Sequence, residues 1–397
     1  MTAPFAATDR GKDRGSSFLA VKPYASALAV FLASRLAVVL AVLIADAHLP
    51  DAYPDEWRAG EAWRHHLLRW DSQWYWTIAS EGYRYDGDSG RAQSVVFYPL
   101  YPLISRLVAS LFGLSVADAM LIVANLAALL ASFLLFKLAR DECGDDVALF
   151  SVAFLGFFPT SIFLSAGYTE PLALVFVLAC FLMLRQDRLI LAAVFSGLAL
   201  ATRSTGIALL PALAWALWRN VGPDLRRLAL YGAPMAALAL AGLALFMLYQ
   251  QRAFGDALAF SHAQAGFHDG TQQIDRIAAA LRLEPFARWG FADVSPAGLD
   301  QWFFLMFAAL TAVAWRRLPA TMALYMTALL LLPYLTLSGG PSGFTSTARF
   351  GLLSFPAFIA LADLTRGAEG LRLALLGGFG ALLGLYAALF SQWRWVG

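Results

Sequence analysis

Across 397 residues the composition is 60% hydrophobic and only 14% charged, against roughly 25% charge in an average soluble domain, so the chain reads as a polytopic membrane protein. The net charge of +2, with Lys and Arg mostly in short loops and forming no stripe, is too small to indicate a nucleic-acid partner. Cys143 in a charged loop and Cys180 inside an apolar span offer neither a plausible disulfide nor metal-ligand spacing.

Arg10, Lys12, Arg14 and Lys22 precede an apolar stretch at 24–45, and Ala45-Asp46-Ala47 has the look of a signal cleavage site. The stretch is longer than a cleaved h-region of about 7–15 residues and matches a span of about 20, so it is expected to remain as the first span. This gives a basic cytoplasmic segment at 1–23 and a single integral membrane domain at 24–397.

The next segment carries Trp57, Trp63, Leu67, Trp70, Trp74 and Ile78 at intervals approximating one helical face, which predicts an interfacial helix in a large outer loop at about 46–115. Asp71 has two compatible readings. Directly before Ser72-Gln73-Trp74, with Gly82 after Glu81, it fits a helix N-cap. An outward carboxylate among aromatics also suits a general base, an effect worth about 10² to 10⁴ in rate. Residues 97–112 are read as a re-entrant or surface-lying helix, because a full crossing there would throw Lys137 and Arg140 to the outer side.

Apolar stretches near 116–138, 146–165 and 170–186 predict three spans. Glu170 lies between Thr169 and Pro171, where the plain reading is a helix start at the outer surface. Residues 189–202 and 206–218 are individually short and separated by Arg203-Ser204-Thr205-Gly206, predicting two half-length or tilted helices. An isolated Arg203 in that break either snorkels to headgroups or meets an anion.

A span near 228–250 leads to a second outer loop at about 250–299, and further spans follow near 300–315, 319–337, 348–365 and 372–390, roughly eleven crossings in all. His65, His66, His262 and His268 are spread over the outer loops, with His268-Asp269 the tightest pairing; they read as solvated loop histidines and not as a metal site. Arg349 opens a span from the outer side and has the same two readings as Arg203, its planar fork suiting phosphate. The short loops rich in Lys and Arg all fall on the cytoplasmic side if the N-terminus is inside, which leaves the long loops bearing Trp, Tyr and acids outside. No glycine-rich loop follows a strand, so no bound nucleotide or other cofactor is expected.

Taken together, Arg69-Trp70-Asp71 with Ile78-Ala79 and Glu81-Gly82-Tyr83, then Phe97-Tyr98-Pro99-Leu100-Tyr101-Pro102-Leu103, Phe158-Pro159, Leu164-Ser165-Ala166-Gly167-Tyr168-Thr169-Glu170 and Ala201-Thr202-Arg203-Ser204-Thr205-Gly206 resemble the PIG-V family. That family makes the second mannosyl transfer of GPI-anchor synthesis and has bacterial relatives among the C-type membrane glycosyltransferases. Order and spacing match from about 66 to 210, with Arg349-Phe350 and Phe355-Pro356 as weaker echoes. The resemblance implies an all-α polytopic C-type architecture and an inverting transfer of mannose from a polyprenyl-phosphate-mannose donor to an acceptor hydroxyl of a glycolipid, glycan or protein on the outer face. It implies Asp71 as catalytic base and a cavity lined by Glu170 and Arg203; Trp70, Gln73, Tyr98, Tyr168 and Arg349 are the further candidate substrate contacts. The Ala, Leu and Arg bias looks bacterial and points to a plasma membrane. The rival readings are a lipid or sugar transporter, which would show related halves and broken helices meeting near the midplane, and a non-catalytic subunit of a glycosylation complex.

Overall fold

The structure, a computed structural model, describes residues 17–60, 62–267, 273–287, 296–337, 344 and 346–397. No strand occurs among the described residues. The chain forms α1 (Ser17–His48), α2 (Ser72–Glu81), α3 (Leu100–Phe112), α4 (Val116–Cys143), α5 (Asp145–Phe157), α6 (Glu170–Arg185), α7 (Leu189–Thr202), α8 (Leu210–Val221) and α9 (Leu225–Phe254). After these come α10 (Ala259–His262), α11 (Gln273–Leu281), α12 (Glu284–Ala287), α13 (Pro296–Arg317), α14 (Ala320–Leu337), α15 (Thr347–Gly351), α16 (Phe355–Leu364) and α17 (Glu369–Ser391). Among the described residues six helices, α1, α4, α9, α13, α14 and α17, are long and apolar enough to cross a membrane alone. Their outward faces stay apolar: Leu32, Leu36 and Ile44 of α1 are 55%, 56% and 62% exposed, a display that water would not tolerate over such an area. The chain is an integral, all-α membrane protein.

Two predicted spans are interrupted. The stretch at 146–165 becomes α5 followed by a 3-10 segment, Pro159–Leu164. Pro159 biases Phe158 away from helical backbone, and the carbonyls freed by the break are taken by Arg35 of α1. Its guanidinium donates to Gly156 O at 3.1 Å, Ser161 O at 3.2 Å and Ser165 Oγ at 2.6 Å. Phe158 fills the centre of the bundle at this break, its ring 5.3 Å from Phe303, 5.4 Å from Phe358 and 5.3 Å from Phe379. The stretch at 348–365 likewise splits into α15 and α16, with Pro356 in the first turn of the latter. The predicted break between α7 and α8 is present, bridged by a 3-10 segment, Ser204–Leu209.

The aromatic segment at 57–78 is not one helix. A 3-10 turn at Trp63–Leu67 and α2 are separated by Trp70, whose φ of 55° turns the chain sharply. Tertiary hydrogen bonds hold that turn: Arg69 Nε donates to Ser391 O and Tyr168 Oη donates to Arg69 O, each at 3.1 Å. Helix α3 is 13 residues long, about 20 Å at 1.5 Å per residue and short of a hydrocarbon core of about 30 Å. It lays Tyr101, Ser105 and Ala109 inward and leaves Leu107, Leu111 and Phe112 outward, as a surface-lying helix would.

Helices α7 and α9 meet closely because Gly197 and Gly242 carry no Cβ: one built on Gly197 would stand 2.3 Å from Leu238 O, and one on Gly242 2.2 Å from Gly197 O. The charges predicted to share a side do gather at one end of the bundle. Lys137 pairs with Asp141 at 3.1 Å, Arg140 with Asp145 at 2.6 Å, Arg372 with Asp146 at 2.8 Å, Arg317 with Asp363 at 3.0 Å, and Arg185 with Glu142. The far end of α4, where Asp118 meets Arg64 at 2.6 Å, faces the loops that carry Asp71.

Candidate functional site

Four separate elements deliver charged side chains to one point. Asp71 stands just before α2, Glu170 begins α6, Arg203 sits in the break between α7 and α8, and Arg349 lies in α15. Arg349 is central: its Nε donates to Glu170 Oε1 at 2.5 Å and its Nη1 to Asp71 Oδ2 at 2.7 Å. Arg203 Nη1 reaches the same Glu170 Oε1 at 2.6 Å and Thr169 Oγ1 at 3.1 Å. Two carboxylates and two guanidiniums therefore form a continuous, self-neutralising network, which is what a low-dielectric interior demands of buried charge.

The members differ in access. The Glu170 side chain is 0% exposed and that of Asp71 27%, so Asp71 is the more accessible of the two carboxylates. Glu170 is thus no surface helix start. Neither Asp71 nor Thr169 uses its side chain to cap the helix that follows; the carboxylate of Asp71 is spent on Arg349, and the capping reading is replaced by an ion pair. Arg203 and Arg349 are both buried and do not snorkel.

Aromatic rings surround the Arg349 guanidinium, and one ring lies against that of Arg203. Arg349 lies 4.6 Å from the Tyr168 ring centroid, 4.9 Å from Phe163 and 5.6 Å from Trp395, and Arg203 lies 4.7 Å from Phe350. Such faces fix the planar group and keep water from it. Among the described residues Arg203 Nε is buried with no hydrogen-bond partner, an unused donor beside a charge.

The remaining candidates fall at different depths. Tyr168 is wholly buried and binds backbone as well as flanking Arg349. Trp70 is half-buried, its ring 5.6 Å from Trp393 and 5.5 Å from Trp395. Gln73 is half-buried on the first turn of α2. Tyr98 lines a cleft with Ser204, Thr205, Phe260, Thr336 and Phe350. That cleft touches the network through Phe350, the ring beneath Arg203.

Sequence reasoning missed Trp395, Phe163, Phe350 and Thr169 as partners in the site. Trp393 and Trp395 follow the last span, where interfacial tryptophans are expected, but nothing in their spacing points to a site built from residues as far upstream as Asp71. The histidines are also revised. His65 is buried, its Nε2 3.1 Å from Asp118 Oδ1, and His66 Nδ1 stands 3.3 Å from Asp46; His262 is exposed and 2.8 Å from Asp256. His268 and Asp269 lie outside the described residues.

Comparison with known proteins places these residues in a family. A stretch of 167 residues, 35% of this chain, is 29% identical to GPI mannosyltransferase 2 of Drosophila pseudoobscura pseudoobscura. A stretch of 163 residues is 29% identical to GPI mannosyltransferase 2 of Drosophila melanogaster. The matches span about a third of those relatives' own length, 36% and 35%. Among solved structures, ArnT from Cupriavidus metallidurans bound to undecaprenyl phosphate superposes over 91% of this chain and 63% of its own at 19% identity and a TM-score of 0.49. The oligosaccharyltransferase of Archaeoglobus fulgidus covers 90% and 53% at 15% identity and a TM-score of 0.47. The family model for mannosyltransferase (PIG-V) matches residues 51–262, which include Asp71, Glu170 and Arg203 and make up more than half of the chain; the chain belongs to the PIG-V mannosyltransferase family.

Proposed function

We propose that this protein is a membrane glycosyltransferase of C-type architecture that moves mannose from a polyprenyl-phosphate-mannose donor to an acceptor hydroxyl on the outer face of the membrane. The observation that carries this is the network itself: one accessible carboxylate, Asp71, held 2.7 Å from an arginine that shares a buried glutamate with a second arginine.

The chemistry follows from what each part can do. The acceptor oxygen attacks the anomeric carbon while its proton passes to Asp71. The bond from that carbon to the phosphate oxygen breaks, and its electron pair leaves with the polyprenyl phosphate. A lipid phosphate needs no protonation to depart, so a base and cationic donors suffice, without the acid and base pair of a glycosidase. A single displacement from the face opposite the phosphate inverts the anomeric centre. Arg203, with its unused Nε–H, and Arg349 are the donors for the phosphate oxygens. Glu170, wholly buried, holds both guanidiniums in place and does not meet substrate. The cleft lined by Tyr98, Phe260 and Phe350, opening beside Arg203, suits the first isoprene units of the donor. The basic pairs at the opposite end of the bundle, read as cytoplasmic under the positive-inside bias, support a network on the outer face.

The test is purified protein in nanodiscs given radiolabelled polyprenyl-phosphate-mannose or a radiolabelled nucleotide-mannose, with and without EDTA. Transfer from the lipid donor alone, unaffected by EDTA, is expected, because both carboxylates are already matched by guanidiniums. Direct transfer from the nucleotide sugar would overturn the reading.

A further inference from the structure

Arg349 belongs to a helix of five residues, Thr347–Gly351, too short to hold itself together in isolation. Its N-cap position is Ser346, a non-glycine residue with φ 56° and ψ 26° whose side chain makes no capping bond. Left-handed backbone is sparsely populated for such a residue and persists only where neighbours impose it. The free N–H groups of the first turn also need acceptors.

Another span supplies an acceptor for that turn and a ring that packs on its far end. Asp300, on α13 and 48 residues earlier in the chain, accepts a hydrogen bond from Ala348 N at 2.8 Å. Asp300 is 3% exposed, so this is a buried carboxylate that meets a peptide donor in place of a guanidinium. Seven residues on, and hence on the same face of α13, Phe307 packs on the other end of the short helix. A Cβ built on Gly351 would come within 2.1 Å of the Phe307 ring. Thr160 Oγ1 donates to Ala348 O at 2.9 Å and completes the clamp.

We propose that Asp300 is a positioning residue of the site: by capping the α15 turn from α13, it sets Arg349 between Asp71 and Glu170. It touches no reacting atom, and its effect passes through Arg349. The inference rests on the reading of Arg349 as a phosphate donor given above.

The experiment is a double-substitution cycle on the full-length protein in nanodiscs, with Asp300→Ala, Arg349→Ala and the pair. Polyprenyl phosphate binding and the KM values for donor and acceptor are the readouts. Asp300→Ala should weaken polyprenyl phosphate binding about tenfold and raise the donor KM, leaving the acceptor KM in place, and should add nothing in the Arg349→Ala background. Asp300→Asn, which keeps an acceptor oxygen for Ala348 N, should recover most of the affinity. Unchanged binding in Asp300→Ala, losses that multiply in the double variant, or an Asn variant as defective as the Ala one would overturn the proposal. If Asp300→Ala does not fold, Asp300→Ser takes its place in the same cycle. If Arg349→Ala leaves phosphate binding untouched, the phosphate reading fails by itself. Asp300 is then judged on turnover, where its substitution must still cost nothing further once Arg349 is gone.

Discussion

Replacing Asp71 by asparagine separates chemistry from architecture at this site. The change is nearly isosteric, and an amide oxygen can still accept from Arg349 Nη1, now 2.7 Å from Oδ2. Arg349 keeps its second anchor, Nε to Glu170 Oε1 at 2.5 Å, and α2 loses no cap because the Asp71 side chain makes none. The structural cost is therefore confined to one partly exposed charge-assisted contact, up to about 1.5–3 kcal/mol. The amide cannot take a proton. Loss of a positioned base costs about 10² to 10⁴ in rate, which at about 1.4 kcal/mol per decade raises the barrier by about 2.7–5.5 kcal/mol. Glu170→Gln should behave in the opposite way. That carboxylate is 0% exposed and meets Arg203 at 2.6 Å and Arg349 at 2.5 Å, so its neutralisation leaves two buried guanidiniums sharing one anion, a loss of about 3–5 kcal/mol. The assay pairs turnover of radiolabelled lipid-linked mannose with thermal unfolding of the same preparations. Asp71→Asn is expected folded, with turnover down at least about 100-fold, and Glu170→Gln markedly less stable. An Asn variant that turns over near the wild-type rate would remove Asp71 from the chemistry and leave it as an anchor for Arg349.

Arg203→Lys should lower kcat/KM for the lipid donor by about tenfold or more although the charge survives, because a lone ammonium cannot both meet Glu170 and lie flat over Phe350 at 4.7 Å; wild-type kinetics would argue against a planar requirement. Gly351→Ala should overpack against Phe307, destabilise the protein by about 1–3 kcal/mol and depress turnover, with Phe307→Leu in the same chain restoring part of both, as measured by unfolding and initial rates. In intact cells, a single cysteine at Arg84, whose side chain is 77% exposed in the loop that carries Asp71, should react with a membrane-impermeant maleimide. One at Asp145, 55% exposed at the far end, should react only after permeabilisation. The reverse pattern would invert the orientation and remove the outer-leaflet donor.

Composition and the order of residues specify the solvent of this protein and the ingredients of its site. Long apolar runs require helices in lipid because no other open structure satisfies its backbone there, and the runs at 24–45, 116–138 and 372–390 became α1, α4 and α17. The break at Arg203 was legible because a charge and a glycine divided two runs each too short to cross. Asp71, Glu170 and Arg349 stood out as charges in apolar or aromatic surroundings. What joined them was not legible. The Asp71–Arg349 contact spans 278 residues and Glu170–Arg349 spans 179, and no local period records which of several isolated charges will neutralise which. The same limit hid the cap of α15, since Asp300 reads as one more acid on a span until the tertiary fold lays it against Ala348. It also made Asp71 look like a helix cap, because propensity weighs only the residues that follow in the chain, whereas a buried arginine offers a carboxylate a stronger partner than a solvated N–H does. Periodicity likewise could not foresee the turn at Trp70, where Ser391 and Tyr168 hold the chain in a conformation that tryptophan rarely adopts alone. Local sequence chose the elements and their solvent; the requirement that every buried charge and every freed peptide group find a partner decided how they meet.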